Sequence, residues 1–343
     1  IGDVQVPAAE RIRPTRSEGI VTRYKHPSCF IVCKRAKPAA PRNFLVICRT
    51  LGRLKRGLGR GLEASLHQEL DMHAFICTAC GTQYPPSQTP PAQCPICEDE
   101  RQYVPQTGQS WTTQEKLALG HQNAWHEYEP GILGIATRPR FAIGQRAVLL
   151  LTDHGNVLWD CISMLDAATV TLIKALGGIQ AMAISHPHFH TSMTDWSRAF
   201  DVPVHIHADN RDWIMRSDAK IELWEGETLE LLPDVTLIRG GGHFPGSSML
   251  HWSKGAGGRG LLCASDTAFV VPDQKHVSFM WSYPNLVPLS AREVKAIADA
   301  FAPFEFDMML GNFFESVIRT GAKQAVERSV ARYLSAIGAA GPH

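Results

Sequence analysis

The chain has 343 residues, of which 44% are hydrophobic and 20% charged, with a formal net charge of +1. These values describe an ordinary globular protein with room for two or three domains and a full core. They exclude a helical membrane protein, since no apolar run approaches the roughly 18 residues that a span needs. The near-neutral charge conceals a split: residues 1–71 carry 14 Lys+Arg against 6 Asp+Glu, and residues 72–343 carry 20 against 27.

Residues 1–71 have scattered basic residues, little periodicity and no methionine before Met72. Three readings compete: an Arg-rich targeting segment, a basic nucleic-acid-binding arm, and a non-native extension from a start placed too far upstream. Asp3, Glu10 and Glu18 argue against the first, because transit peptides are poor in acids. The second lacks the aromatic interleaving expected of nucleic-acid binding. The expectation is therefore a disordered or non-native extension with one short helix near Leu62–Leu70, and no role for Cys29, Cys33 or Cys48.

Residues 72–105 hold two C-x-x-C pairs, Cys77/Cys80 and Cys94/Cys97, separated by 13 residues. Each pair makes a tight turn offering two thiolates, and the proline-rich gap (Pro85, Pro86, Pro90, Pro91) suits a loop between them. Four thiolates close a tetrahedral shell, so the expected role is a structural metal that lets a segment too small for its own core fold. Paired C-x-x-C units carry this meaning in an intracellular protein, and a cytoplasmic location is expected. The stretch resembles rubredoxin-like and zinc-ribbon domains, which leaves zinc or iron open. Residues 106–126 read as a connector, with a helical stretch over Trp111–His121 preceded by capping threonines.

The main domain is expected over 127–340. Strands fit Ile132–Arg138, Ala147–Thr152, Asn156–Asp160, Gln180–Ser185, Val202–His207, Val235–Arg239, Ser248–Trp252 and Gly260–Ala264. Helices fit Ala167–Leu176, Thr194–Phe200, Asn210–Arg216, Ala291–Phe301 and Ala322–Ala336. The mixture predicts an α/β (α+β) fold of two sheets with helices outside them. Gly255–Gly260 lacks the lysine and hydroxyl residue of a phosphate loop and reads as a hairpin turn.

The chemistry concentrates at the strand ends. His186 and His188, flanking Pro187, follow an apolar run and can turn toward one cation; His243 lies in the turn Gly240–Ser247; Asp266 follows the run Gly260–Ser265. Three imidazoles and a carboxylate suit zinc and leave room for a water. His205 and His207 share one strand face and are read as half-buried, not as ligands.

These residues together resemble the metallo-β-lactamase superfamily over about residues 130–320. The family's HxHxDH motif aligns with His186-Pro-His188-Phe-His190-Thr191, its Gly-His-(Thr/Phe)-Pro-Gly-Ser turn with Gly242–Ser247, its later aspartate with Asp266, and its early structural aspartate with Asp160. The resemblance implies an αββα sandwich with metal at one edge, preceded here by the four-cysteine knuckle. It also implies losses. His190-Thr191 stands where Asp-His supplies a second metal, and Gly311-Asn312-Phe313 occupies the place of the last histidine. One metal is therefore expected, on His186, His188 and His243 with Asp266, and His190 as a candidate for a weak second site.

The function implied is a metal-dependent hydrolase, mononuclear with zinc, in which hydroxide derived from the metal's water attacks a small ester, thioester, lactone or amide. Asp266 is the catalytic candidate, orienting the water or taking its proton. Asp160 and Asp195 are candidates to fix the imidazoles, and Tyr283 or Asn285, in the aromatic stretch 279–285, to polarise an oxyanion. The expected partner is a small-molecule substrate, with neither nucleic acid nor membrane. Two alternatives compete: a redox protein with a rubredoxin-like iron site feeding the second metal centre, and a non-enzymatic metal-binding protein.

Overall fold

The computed structural model describes residues 72–339, together with the backbone of a short antiparallel pair, Tyr24–His26 with Cys29–Ile31. The chain divides into two units, Ile1–His67 and Gln68–His343. The expectations of an extension over 1–71 and of a helix near Leu62–Leu70 lie outside the described residues. Among those residues, no helix is long and apolar enough to cross a membrane.

The larger unit is built on two sheets. The first contains Gln122–Glu129 (β1), Ile132–Arg138 (β2), Arg146–Thr152 (β3), Gly155–Trp159 (β4), Ala181–Ala183 (β5), Val204–His207 (β6) and Ile221–Trp224 (β7). They lie side by side in chain order, antiparallel from β1 to β4 and parallel from β4 to β7. The change to parallel pairing requires crossovers. Helices Ala167–Ala175 (α1) and Met193–Phe200 (α2) supply two of them, α1 starting where Asp166 Oδ1 accepts from Thr169 N at 2.6 Å. The second sheet runs Thr228–Leu232 (β8), Val235–Arg239 (β9), Ser248–Trp252 (β10), Leu261–Cys263 (β11), Met308–Leu310 (β12) and Val317–Ile318 (β13). Its single parallel pair, β11 with β12, is bridged by Ala291–Phe301 (α3), which opens on a Ser290/Glu293 capping box. Ala322–Ala336 (α4) closes the fold.

Alternation along the strands sorts side chains into three apolar layers. Val148, Leu150, Val157 and Trp159 of the first sheet meet Leu237, Leu250, Leu261 and Leu310 of the second in the central core. Their neighbours Ala147, Leu149 and Leu158 face outward under α1 and α2, with Ile173 and Trp196. On the far side Ile238, Met249, Leu262 and Met309 are covered by Val294, Ile297 and Phe301 of α3 and Val326 of α4. This is the αββα sandwich that the sequence implied.

Every central strand coincides with an expected one, β12 with the apolar stretch expected near Phe306–Leu310 ahead of Gly311-Asn312-Phe313. The strands without a forecast, β1, β7, β8 and β13, occupy the four sheet edges. The expected helix over Asn210–Arg216 is a 3₁₀ segment, Ala208–Trp213, and the helical stretch in the connector shrinks to Gln114–Leu117. Just before it, Trp111–Thr112 pairs with Ile76–Cys77, so the connector completes the knuckle. Gly255–Gly260 joins the antiparallel β10 and β11, the hairpin expected of it.

Candidate metal centre

Three chain segments bring the centre together at one edge of the sandwich. After β5, Ser185 N donates to Asp160 Oδ1 at 2.7 Å, and His186 continues in extended conformation. Pro187 then opens a single 3₁₀ turn, Pro187–Phe189, which swings His188 beside His186 with ring centroids 5.3 Å apart. The loop between β9 and β10 carries His243. Gly242 there has φ +77°, and a Cβ would lie 2.8–2.9 Å from Leu289 and Ile297, so only glycine lets the loop close. Asp266 lies three residues past the end of β11.

His186, His188, His243 and Asp266 converge, one donor atom from each lying within 4.8 Å of the others. Asp266 Oδ2 is 3.1 Å from His186 Nε2 and 3.8 Å from His243 Nε2, and His243 Nε2 is 3.2 Å from His188 Nδ1. All four residues are buried.

Two of the imidazoles are fixed from behind. His243 Nδ1 donates to the Trp281 carbonyl at 2.8 Å, leaving the Nε2 lone pair toward the cluster. Ser185 Oγ lies 2.9 Å from His186 Nδ1. Burial pushes His188 well below the ordinary histidine range and lowers His243 to about 3, so both are neutral donors. Asp266 is the opposite case: burial raises its pKa, but the adjoining His186 and the Asn312 amide outweigh that and hold it below its ordinary value. Asn312 Nδ2 donates to Asp266 Oδ1, leaving Oδ2 to face the imidazoles. Neutral nitrogen donors, one ionised carboxylate, and a buried His186 Nε2 without a hydrogen bond form a donor set that fits a divalent cation.

The expected supporting carboxylates do not touch the rings; a hydroxyl and a backbone carbonyl do that work. Asp160, with φ +59°, instead clamps two strand ends through Ser185 N and Ser265 Oγ (2.6 Å), and burial raises its pKa to about 6. Asp195 belongs to another network, accepting from Gln83 Nε2 at 2.7 Å and Arg216 Nη1 at 2.9 Å. His190 stands outside the converging group: its Nδ1 donates to the Trp213 carbonyl at 3.0 Å, and burial lowers its pKa to about 4. Thr191 Oγ1 contacts Cys161 Sγ at 3.0 Å.

Neither oxyanion candidate offers a free donor. The Tyr283 hydroxyl, on the cavity wall, donates to the Asp266 carbonyl at 2.9 Å. Asn285 Nδ2 donates to the carbonyls of Glu100 (2.7 Å) and Gln102 (3.2 Å) in the knuckle. Sequence reasoning missed three residues that matter here: Ser185, Asn312 and Arg101. Asn312 was legible only as a missing histidine, and Arg101 sits in the charged run Glu98-Asp-Glu-Arg101, which reads as a solvated surface.

Cys77, Cys80, Cys94 and Cys97 form the second group of buried donors. Sγ separations of 3.6 Å (Cys77 to Cys97) and 3.5 Å (Cys80 to Cys94) far exceed a disulfide bond. They approach the edge of a thiolate tetrahedron, about 3.8 Å for metal–sulfur bonds of ~2.3 Å. Tyr84 Oη and Gln109 Nε2 donate to Cys94 Sγ (3.1 Å) and Cys77 Sγ (2.9 Å). The knuckle is docked on the sandwich by Ile143, Trp213 and Met215, by Ser163 Oγ donating to the Gly81 carbonyl at 2.8 Å, and by the Gln83–Asp195–Arg216 network.

A cavity of about 460 Å³ opens over the histidine centre, with His188, His243 and Asp266 on its wall beside Arg101, Arg140 and Phe313. No family model matches the chain. Over 268 residues it is 45% identical to the uncharacterized protein YmaE of Bacillus subtilis (strain 168), covering 78% of this chain and 97% of that protein. The chain belongs to the YmaE family. Among solved structures it is similar to a metallo-β-lactamase with an HARLDQ motif from Cronobacter sakazakii, at 17% identity and TM-score 0.42, over 67% of this chain and 96% of that one. It is also similar to the DIM-1 metallo-β-lactamase, at 11% identity and TM-score 0.47, over 63% and 98%. The αββα layers and the order of the histidine and aspartate motifs are those of the metallo-β-lactamase fold.

Proposed function

We propose that the protein is a hydrolase that depends on one divalent metal, zinc by the character of its donors, held by His186, His188, His243 and Asp266. The observation that carries this reading is the convergence of three buried imidazoles and one carboxylate, with His188, His243 and Asp266 on the wall of a ligand-sized cavity. When bound, such a metal supplies Lewis acidity and a water of lowered pKa. The chain's residues supply the rest. The Trp281 carbonyl sets the tautomer of His243, and the Ser185 hydroxyl holds His186 Nδ1. Asp266, kept ionised, serves as anionic donor and hydrogen-bond acceptor; its lowered pKa makes it a weak proton acceptor, which favours orientation of water over proton abstraction. His190 stays outside the site, and the reading is mononuclear.

The substrates are small esters, thioesters, lactones or amides, on the size of the cavity. The four-cysteine knuckle of residues 72–105 holds a separate structural metal, zinc or iron, and 127–340 form the hydrolytic domain. The test is turnover of 4-nitrophenyl acetate, a thioester, a lactone and an anilide by zinc-loaded full chain. Hydrolysis of at least one class, abolished by chelation and by His243→Ala, is expected. A fully metallated protein inert to all four contradicts the reading, and an iron–thiolate spectrum together with that inertness would favour the redox alternative instead.

A further inference from the structure

The knuckle sends one charged side chain into the cavity. Arg101 lies four residues beyond Cys97, and its guanidinium sits among three aromatic rings, with Cζ 4.1 Å from the centroid of Phe244, 5.3 Å from Trp281 and 5.4 Å from Trp213. Phe244 also packs edge-on against His188 with centroids 5.2 Å apart, so one ring separates the guanidinium from the histidine centre. Arg101 Nε and Nη1 are buried and make no hydrogen bond; the nearest carboxylate oxygen, Asp99 Oδ1, is 3.2 Å from Nε as an ion pair. Asp99 faces Nε alone, and leaving the buried Nη1 of a charged group without an acceptor is costly. A bound anion removes that cost.

Two further observations give the arginine a direction. Asn285 Nδ2 donates to the carbonyls on either side of it, Glu100 and Gln102, and so fixes the Arg101 backbone against the wall of the cavity. The cavity carries a second guanidinium, Arg140, and among its lining residues the one carboxylate is Asp266, already engaged by His186 and Asn312. The cavity lining thus carries two guanidinium charges against one carboxylate, with Asp99 beside Arg101 outside the lining. A planar guanidinium matches carboxylate and phosphate oxygens with paired donors, which an ammonium cannot do.

We propose that the cavity binds its substrate through an anionic oxygen group, carboxylate or phosphate, recognised by Arg101 with Arg140 contributing charge, so that the cysteine knuckle is the substrate-recognition arm of the enzyme. The proposal rests on the reading of this cavity as the hydrolytic site. Arg101 is a binding residue in it, and Asn285 a positioning residue.

Calorimetric titration of zinc-loaded full chain with glutarate, and separately with inorganic phosphate, tests it without turnover. One-to-one binding of at least one anion is expected, with the tighter one naming the group. Arg101→Met should weaken that binding at least 10-fold and Arg101→Lys by less, at unchanged zinc content. Asn285→Ala, which leaves the guanidinium and its aromatic cage in place, should weaken binding several-fold and serves if Arg101→Met does not fold. Failure of both anions to bind wild type overturns the proposal, as does equal binding by Arg101→Met, which would mean that the metal alone holds the anion. Turnover of the four model substrates is scored in parallel: inertness toward all of them counts against the hydrolase reading, while calorimetry decides anion recognition independently.

Discussion

The two donor clusters of this chain are built from opposite materials. In the knuckle, four thiols sit on two tight turns within about twenty residues, Tyr84 and Gln109 donate to their sulfurs, and the group is closed on itself. At the sandwich edge, the donors come from loops some eighty residues apart in sequence, and three of the four line a cavity. On the proposed reading the first arrangement depends on a metal for its fold, because so short a segment has little core of its own. The second is held by two sheets and their helices, with or without a cation. A closed cluster supports; an open one, placed by a scaffold that does not depend on it, is free to do chemistry.

The sharpest way to break this comparison is to remove one thiolate. Cys94→Ser is expected to release the knuckle metal and expose residues 72–105 to limited proteolysis while the sandwich keeps its circular dichroism. Global unfolding would show that the two regions are not separable in stability. Next in size is the docking network. Arg216, buried, bonds Asp195 and Asp218 and also donates to Gln83 of the knuckle, so Arg216→Met should destabilise the protein by about 2 kcal/mol in urea unfolding, since it leaves the partly buried Asp195 without its cation while Asp218 keeps Arg198.

At the open cluster the expected effects are graded. Burial keeps His190 (about 4) and His243 (about 3) from protonating in the fold, whereas both take up a proton near 6.5 when unfolded. Unfolding therefore binds protons below that value. The metal-free protein should have constant stability from these groups above pH 6.5 and lose it as pH falls toward 4, on the order of 3 kcal/mol from His190 alone. Urea midpoints measured between pH 7.5 and 4.5 after chelation check this, and a flat profile counts against neutral buried imidazoles. Asn312→Ala removes the donor that orients Asp266 and should weaken the metal at the histidine centre roughly 10-fold by competition with a chelating dye. Knuckle occupancy should not change.

What was legible in the sequence follows the same division. Both donor clusters could be read because each rests on local spacing: paired C-x-x-C, His-Pro-His before a helix, a histidine among glycines. The central strands could be read because burial on both faces makes them continuous apolar runs. The four edge strands could not, since an edge is covered on fewer sides and tolerates polar residues such as those of Gln122–Glu129. Contacts between distant segments were also hidden. Nothing local marks Asn285 as a clamp on residues 100–102, Asp195 as an anchor of the knuckle, or Arg101 as part of the cavity wall. Such roles arise only once the fold has placed a polar side chain beside a partner far away in sequence.

The most direct test of the account is the metal content of purified wild type beside His186→Ala and His243→Ala, by inductively coupled plasma mass spectrometry. The account predicts two metals per chain in wild type and one in each variant, the remaining one lost only when a knuckle cysteine is also replaced. Variants that keep both metals would contradict the assignment of the histidine cluster as a metal centre.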